Sequence, residues 1–543
     1  MKHPDPDEMN DGMLDHRGDA LPYLSKSAKN MKMEKLLSTP MPEFSGKTPG
    51  SYFWTQAIYW ICNRISKVQF KTAEATGTDK IPSDRGSLCC AWHTNGILDA
   101  LQITLNHPKY FVLGARHDLV TRPMLGWWTR KMAVQPVVRK AELLRGGCSE
   151  EEANFLNGRS LITLASGIAN GFGCVLFPEG TSHNNSYMLR FRTGPMRTVL
   201  AAGALSASLD KNLPVLIPIG LHFRQKEHFR TDVWVEYGEP IQVESTDIPQ
   251  NLIDAVAGGS WSEPPAENVY LLRDKLKTKL LPLSPNVSSW EENRALHLLG
   301  HLDFRKQGKT LPTWREEVLA ARKFQEKFGE ELVIGANEDV QPAKLTHPIL
   351  ESASQAADIL HQNGLDGRDI NANGTAIKSP NLLKFPLGLM RTGILVALLP
   401  LFIISLLPQI ILGRLLGDST DEGIDARTSY QFLAAMFGSL VIWPVAATIS
   451  TAFAYLRRAD IYEITGVCWP YLLGESTYMV VFACLIFWIL MMPLFLFIGN
   501  LSSLVWDDYV ALRGFTRKFT MAKDDKERLY SLLLETNQQL AKL

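Results

Sequence analysis

The chain has 543 residues, more than one hydrophobic core ordinarily serves, so two or three folded units are expected. Lys+Arg and Asp+Glu stand at 56 each, which removes any bulk attraction for nucleic acid and confines an anion site to a local cluster. The seven cysteines are odd in number, sit in apolar surroundings and show no C-x-x-C spacing, so they point to a reducing compartment and away from a disulfide framework or a structural zinc.

Residues 1–47 are polar with scattered charges and lack the basic start and apolar core of a secretory signal; a disordered arm is expected there. In residues 48–70, TPGSYFWTQAIYWICN is uncharged and aromatic-rich, yet at 16 residues it falls short of the roughly 20 that a bilayer crossing needs. Arg64 and Lys67 follow, a pattern that fits a helix in the headgroup layer and equally one packed on a domain. From 71 to 260, strand-like runs (Leu88 to Trp92, Tyr110 to Leu113, Val134 to Val138, Cys174 to Phe177, Pro214 to Leu221, Val233 to Tyr237) alternate with helical patterns such as Leu161 to Ala169 and Met196 to Ala207. That alternation predicts an α/β fold, a largely parallel sheet flanked by helices, with chemistry at the loops leaving the strands.

Residues 261–380 are charged and helical in pattern. His297 and His301 stand one turn apart there, but without a Glu in the pair or an evident third ligand they fit a packing or surface role better than a metal site. Residues 381–506 contain three uncharged runs, Thr392 to Gly413, Thr428 to Leu456 and Ser476 to Trp506, each long enough to cross about 30 Å of hydrocarbon. The expectation is a C-terminal helical membrane domain of two or three spans in an integral membrane protein. Lys384 and Arg391 before the first run and Arg457-Arg458 after the second, against an acidic connector between them, predict a hairpin with the connector outside and residues 1–380 in the cytoplasm. Pro493 leaves the third run as a candidate re-entrant segment. In residues 507–543 the spacing of Leu529, Leu532, Leu533, Leu540 and Leu543 predicts an amphipathic tail helix.

Four patches between residues 93 and 221 carry chemistry. The first, His93-T-N-G-I-L-Asp99, follows the strand-like SLCCAW. An imidazole serves as a general base near neutral pH, and a carboxylate on its other nitrogen fixes the tautomer; Asn95 and Gly96 favour a turn that could return Asp99 to the ring. The second, QPVVR, ends in Arg139. The third, FPEGTS, places Glu179, Gly180 and Thr181 after a buried strand, where glycine lets backbone N–H groups approach an oxyanion or phosphate, and Arg190, Arg192 and Gly194 follow within LRFRTG. The fourth, VLIPIGL, carries Pro218, which would suit an edge or bulge better than a central ladder position.

In that order the patches resemble the four blocks of the glycerolipid acyltransferase family, which includes glycerol-3-phosphate and lysophosphatidate acyltransferases; the resemblance covers roughly residues 85–245. The family's usual first block has four residues between His and Asp, and this chain has five, a departure similar to the fungal-type glycerol-3-phosphate and dihydroxyacetone-phosphate acyltransferases. The resemblance implies a membrane-bound O-acyltransferase of phospholipid biosynthesis. His93 would deprotonate a hydroxyl of glycerol 3-phosphate, with lysophosphatidate as the rival acceptor, and Asp99 would hold the ring. The alkoxide would attack the thioester of acyl-CoA or acyl carrier protein, and backbone N–H groups near His93 or Gly180 would meet the oxyanion. Arg139, Glu179, Gly180, Thr181 and Arg192 would hold the acceptor, Glu179 through the glycerol hydroxyls or by orienting Arg139, and Pro218 would shape a substrate pocket. No metal and no bound cofactor is implied, and the partners are the phospholipid membrane and the two substrates rather than nucleic acid. A catalytically inactive membrane scaffold is the reading from another class, although the three runs hold no charge that would mark an ion path.

Overall fold

A computed structural model describes residues 13, 31–144, 148–330, 340–379, 385–419 and 424–543. Most of the expected polar arm, residues 1–12 and 14–30, lies outside the described residues. From residue 31 onward the chain is packed rather than free: Leu36, in a short helix Met33–Leu37, is buried with Val138 and Leu156, and Arg159 donates to the carbonyls of Leu37 and Thr39.

A strand apolar on both faces belongs at the centre of a parallel sheet. β2 (Ser87–Ala91) is such a strand, buried throughout. It lies between β7 (Val215–Phe223) and β6 (Gly173–Val175), parallel to both. The sheet order is β1-β8-β7-β2-β6-β3, with β1 (Phe70–Thr76), β3 (Phe111–Val112) and β8 (Thr231–Tyr237), and with β9 (Ile241–Gln242) adding to β7. A separate pair joins β4 (Gly114–Arg116) to β5 (Gln135–Val137). Among the described residues only β7–β8 and β7–β9 are antiparallel, so the sheet is largely parallel as its strand–helix alternation predicts. Pro218 is buried inside β7 rather than at an edge. It falls where β9 pairs only Val215 and Leu216 and β8 pairs from Ile219 onward, a gap that tolerates its missing N–H. β1 begins where the sequence pattern extends a surface helix to residue 70.

Helices cover the sheet. Five are introduced here: α1 (Tyr52–Gln69), α2 (Ile97–Asn106), α3 (Glu150–Ala169), α4 (Gly194–Ser208) and, further along, α5 (Trp290–Lys306). The α1 helix both packs and exposes aromatics: Cys62 is buried against Phe432 and Met436, while Phe53 and Trp60 face outward. Next to α5, α6 (Trp314–Phe328) and α7 (Ile349–Gln362) build a second core that also takes Leu529, Leu532, Leu533 and Leu540 of the tail. Leu543 is exposed.

The membrane region departs from expectation. Proline lacks an N–H and clashes with the carbonyl four residues back. Pro400 and Pro408 accordingly split the first apolar run into α8 (Phe385–Ala397), α9 (Leu399–Ser405) and α10 (Leu407–Asp418), with a 70° bend between α8 and α9. The break expected in the third run is therefore in the first. The other two runs are continuous helices, α11 (Ile424–Leu456) and α12 (Thr477–Thr520), with Pro444 and Pro493 inside them, and both are long and apolar enough to cross a membrane. Gly417 packs against Arg427, so α10 and α11 form a tight antiparallel pair, and Thr428 and Ser429 at the start of α11 bond to residues 95–97. The start of α11 thus lies against the α/β unit. Asp507 near the other end of α12 binds Arg230, so α11 and α12 run antiparallel and return the tail helix α13 (Lys523–Leu540) to that side too.

Candidate active site

The indole of Trp92, buried, donates to the carbonyl of Leu221 at 2.9 Å and pins the end of β2 to β7. His93 is the next residue. Gly96 then turns the chain at φ +52°, a region where a Cβ is disfavoured, and α2 starts at once. Asp99, in the first turn of α2, is fully buried. Its Oδ2 accepts from the backbone N–H groups of Thr94 and Asn95, both at 2.7 Å, and stands 2.9 Å from His93 Nδ1. The extra residue of the first block is thus taken up by the turn, and the carboxylate still reaches the ring.

A carboxylate whose neighbours are two donors accepts from the third as well, so Nδ1 carries the imidazole proton and Nε2 keeps its lone pair. Among the described residues Nε2 has no hydrogen-bond partner. The His93 side chain is 17% exposed while that of Asp99 is 0%, so the ring opens outward and its support does not. Phe177 stacks on the imidazole, ring centroids 3.9 Å apart and planes 8° from parallel, which fixes its tilt.

Phe177 stands two residues past β6 and opens the Gly180 loop. Glu179 is buried, and its contacts replace both roles expected for it. Oε2 accepts from the backbone N–H of His93 at 2.7 Å; Oε1 accepts from the N–H of Leu189 at 2.7 Å and lies 2.8 Å from His183 Nε2. It braces the His93 loop, and among the described residues no hydrogen bond or ion pair joins it to Arg139. Gly180 is exposed at φ +73°, and a Cβ there would stand 3.4 Å from Arg192 Cγ, so the Arg192 side chain runs along the glycine. The N–H of Arg192 donates to Pro178 O at 2.6 Å, which closes the loop on itself. Thr181 is half-buried, its hydroxyl on the carbonyl of Ser182.

Arg139 leaves β5 in the separate two-stranded sheet, with its Nε on Glu142 at 2.6 Å and a buried Nη2 that has no hydrogen-bond partner. The structure therefore gathers His93, Asp99, Glu179, Gly180 and Arg192 into one strand-end site. No hydrogen bond among the described residues ties Arg139 to it. Pro218 is also apart: it is buried in the sheet interior opposite Cys90, with its ring facing Gly238.

Four participants carried no sequence signal of their own. His183 sits behind Glu179; Lys226 Nζ donates to the carbonyls of Thr94 at 2.8 Å and His183 at 3.2 Å, joining the two loops. From α11, Thr428 Oγ1 bonds Asn95 Oδ1 at 2.6 Å, and Ser429 Oγ accepts from the N–H of Ile97 at 3.0 Å. Phe177 was visible, as the first residue of FPEGTS. Further along the chain His301 pairs with Glu317 at 3.1 Å and His297 stacks on Trp314, packing roles for both. Among the described residues no three His, Cys, Asp or Glu side chains converge as metal ligands.

A buried carboxylate, an outward imidazole and a glycine–arginine loop meet at the end of a central parallel strand, and residues 72–221, which hold the carboxylate, the imidazole and that loop's glycine and arginine, match the family model described as Acyltransferase. The α/β unit is an acyltransferase domain. The chain is 28% identical over 151 residues to Glycerol-3-phosphate O-acyltransferase 2 of Saccharomyces cerevisiae, and 31% identical over 78 residues to Glycerol-3-phosphate O-acyltransferase 1 of the same yeast. These stretches are 28% and 14% of this chain, and 19% and 9% of those relatives. A solved structure, the 1-acyl-sn-glycerophosphate (LPA) acyltransferase PlsC from Thermotoga maritima, is similar at a TM-score of 0.26 and 16% identity, covering 40% of this chain and 79% of that one.

Proposed function

We propose that this chain is a membrane-bound enzyme that transfers a fatty acyl group from a thioester donor to a hydroxyl of glycerol 3-phosphate. The observation that carries the proposal is the His93–Asp99 pair, with Nδ1 held on a buried carboxylate and Nε2 unpartnered, at the end of the central strand of an acyltransferase domain. His93 Nε2 takes the proton of the acceptor hydroxyl as its oxygen attacks the thioester carbonyl. The resulting imidazolium is stabilised by Asp99 and returns the proton to the departing thiolate. Arg192, lying along exposed Gly180, offers a guanidinium to the acceptor phosphate, and backbone N–H groups of the Gly180 loop or the His93 loop meet the oxyanion. Acyl-CoA and acyl carrier protein are the donor classes. Two helices long and apolar enough to cross a membrane, one of them bonded to the His93 loop, support a reaction at the lipid boundary, where an acyl product leaves without crossing water. The domain faces the cytoplasm in this reading.

The test is to incubate membranes carrying the full chain with labelled acyl-CoA or acyl carrier protein and, separately, glycerol 3-phosphate, dihydroxyacetone phosphate and lysophosphatidate. Labelled lysophosphatidate formed from glycerol 3-phosphate is the expected result. Transfer to lysophosphatidate alone would overturn the acceptor assignment, and no transfer to any acceptor would overturn the enzyme.

A further inference from the structure

The membrane helix α11 touches the catalytic loop more closely than anchoring requires. A tether could leave the domain at any surface point. Here two consecutive hydroxyl residues near the start of α11 bond the loop that carries His93, and the next residue reaches Arg122. Thr428, fully buried, bonds Asn95 Oδ1; Ser429, also buried, accepts from Ile97 N–H and stands 3.4 Å from Asn95 O; Tyr430 OH lies 3.5 Å from Arg122 Nη2. Asn95 and Ile97 flank Gly96, the residue whose left-handed turn carries the chain from His93 back to Asp99. The Asp99 carboxylate holds the inner side of this turn through the N–H groups of Thr94 and Asn95, and the two hydroxyls of α11 hold its outer side. Below that contact, Phe432 and Met436 of α11 pack with Cys62 of α1, Leu98 of α2 and Phe70, so the helix docks along an apolar seam as well.

We infer that Thr428 and Ser429 are positioning residues of the acyl-transfer site, so that a helix crossing the membrane sets the geometry of the His93 loop. The inference rests on the acyltransferase reading for its kinetic arm alone. With the helix in place, Asn95 and Ile97 are fixed on both sides and His93 is presented on Asp99. Without the hydroxyls the outer side of the turn loses its bonds, and the buried groups of Asn95 and Ile97 lose partners that water cannot replace.

The experiment uses membranes carrying the full chain, with every rate normalised to the amount of chain present. Thr428→Val removes the hydroxyl at nearly constant volume. It is expected to lower kcat for palmitoyl-CoA and glycerol 3-phosphate between about 10- and 100-fold, with KM within about twofold, because misplacement of the base affects the reaction more than binding. Thr428→Ser is expected to restore most of the loss. Thr428→Val combined with Asn95→Ala should fall no lower than Asn95→Ala alone, since both delete one bond. Hydrogen exchange of the peptide 92–98 is read on the same samples: faster exchange there in Thr428→Val and at Ile97 in Ser429→Ala, with residues 87–91 unchanged, is the expected pattern. Should Thr428→Val not accumulate, Ser429→Ala carries both arms. Wild-type kcat with wild-type exchange in these variants overturns the inference. If the wild-type chain transfers no acyl group, the functional reading has failed, and the exchange arm alone decides whether α11 holds the loop.

Discussion

Two regions of this molecule are built from the same pair of groups, an imidazole beside a carboxylate, and they differ in what else is present. At the end of β2, His93 meets Asp99 with no guanidinium on the carboxylate and a ring nitrogen facing outward. At the junction between the sheet and the second core, His222 meets Glu236, which Arg322 also binds through both oxygens, and His301 meets Glu317, which Arg224 binds in the same way. The side chains of His222 and His301 are 4% and 5% exposed, against 17% for His93. Trp234 and Trp314 enclose the junction, and Trp314 donates to His222 O. Only the His93 pair, on this comparison, keeps an imidazole nitrogen at an opening, as the proposed base requires. Where a guanidinium saturates the carboxylate and aromatic rings shut out water, the same pair fastens two domains together.

The contrast can be broken first at the carboxylates. Asp99→Asn keeps an oxygen for the two backbone N–H groups and the ring but removes the charge that stabilises the imidazolium, and it puts an amide NH2 where Oδ1 is buried without a partner. Acyl transfer is predicted to fall by about 10²-fold or more with the fold intact, read as kcat at constant circular dichroism. At the junction the opposite split is expected. Arg224→Ala leaves Glu317 and Asp232 buried without their cation and should destabilise the protein by about 3–5 kcal/mol, seen in denaturant unfolding followed by tryptophan fluorescence. Turnover per folded molecule should be unchanged.

Acid sharpens the comparison next. Burial pushes His222 down and holds His297 at about 4, so in the folded protein both stay neutral at pH values where the unfolded chain, near 6.5, takes up protons. The unfolded state binds more protons there, so stability is full above pH 6.5 and falls as pH drops toward 4. For His297 this amounts to about 3 kcal/mol. Burial alone would raise Glu236 and Glu317, but Arg322 and His222 on the first, and His301 and Arg224 on the second, outweigh it and hold each at about 2. Their contribution is present above the ordinary 4.5 and is lost as pH falls from there through 2. Thermal unfolding of the purified chain in detergent between pH 7 and 3 should therefore show two successive losses of Tm. A flat profile would remove the junction's charges from the account.

The smallest effect is expected at the loop. Gly180→Ala places a Cβ at φ +73° and 3.4 Å from Arg192 Cγ. It should cost about 1–2 kcal/mol locally, appearing as a higher KM for the phosphate-bearing acceptor with kcat little changed.

Much of this was legible in the sequence because it is local. The apolar run Leu88 to Trp92 reads as a strand, and His93, Asp99 and Gly180 lie in short blocks whose spacing survives folding as a turn and a loop. Glu179 was legible as important and misread in role, since its partners, the N–H groups of His93 and Leu189, are backbone atoms that no side-chain pattern displays. Lys226 and Thr428 lay beyond reach for a different reason: each meets the His93 loop across more than a hundred residues of chain, and their own neighbours look like ordinary loop and helix start. The break in the first apolar run went unread because hydropathy counts the residues of a run without seeing that Pro400 and Pro408 split its helix.

The measurement that reaches the central claim most directly is acyl transfer from labelled palmitoyl-CoA to glycerol 3-phosphate by wild type, His93→Ala and His222→Ala at equal amounts of folded chain. The account predicts that His93→Ala loses about 10²- to 10⁴-fold while His222→Ala keeps its turnover, being only less stable. Wild-type turnover in His93→Ala, or an equal loss in both variants, would contradict it.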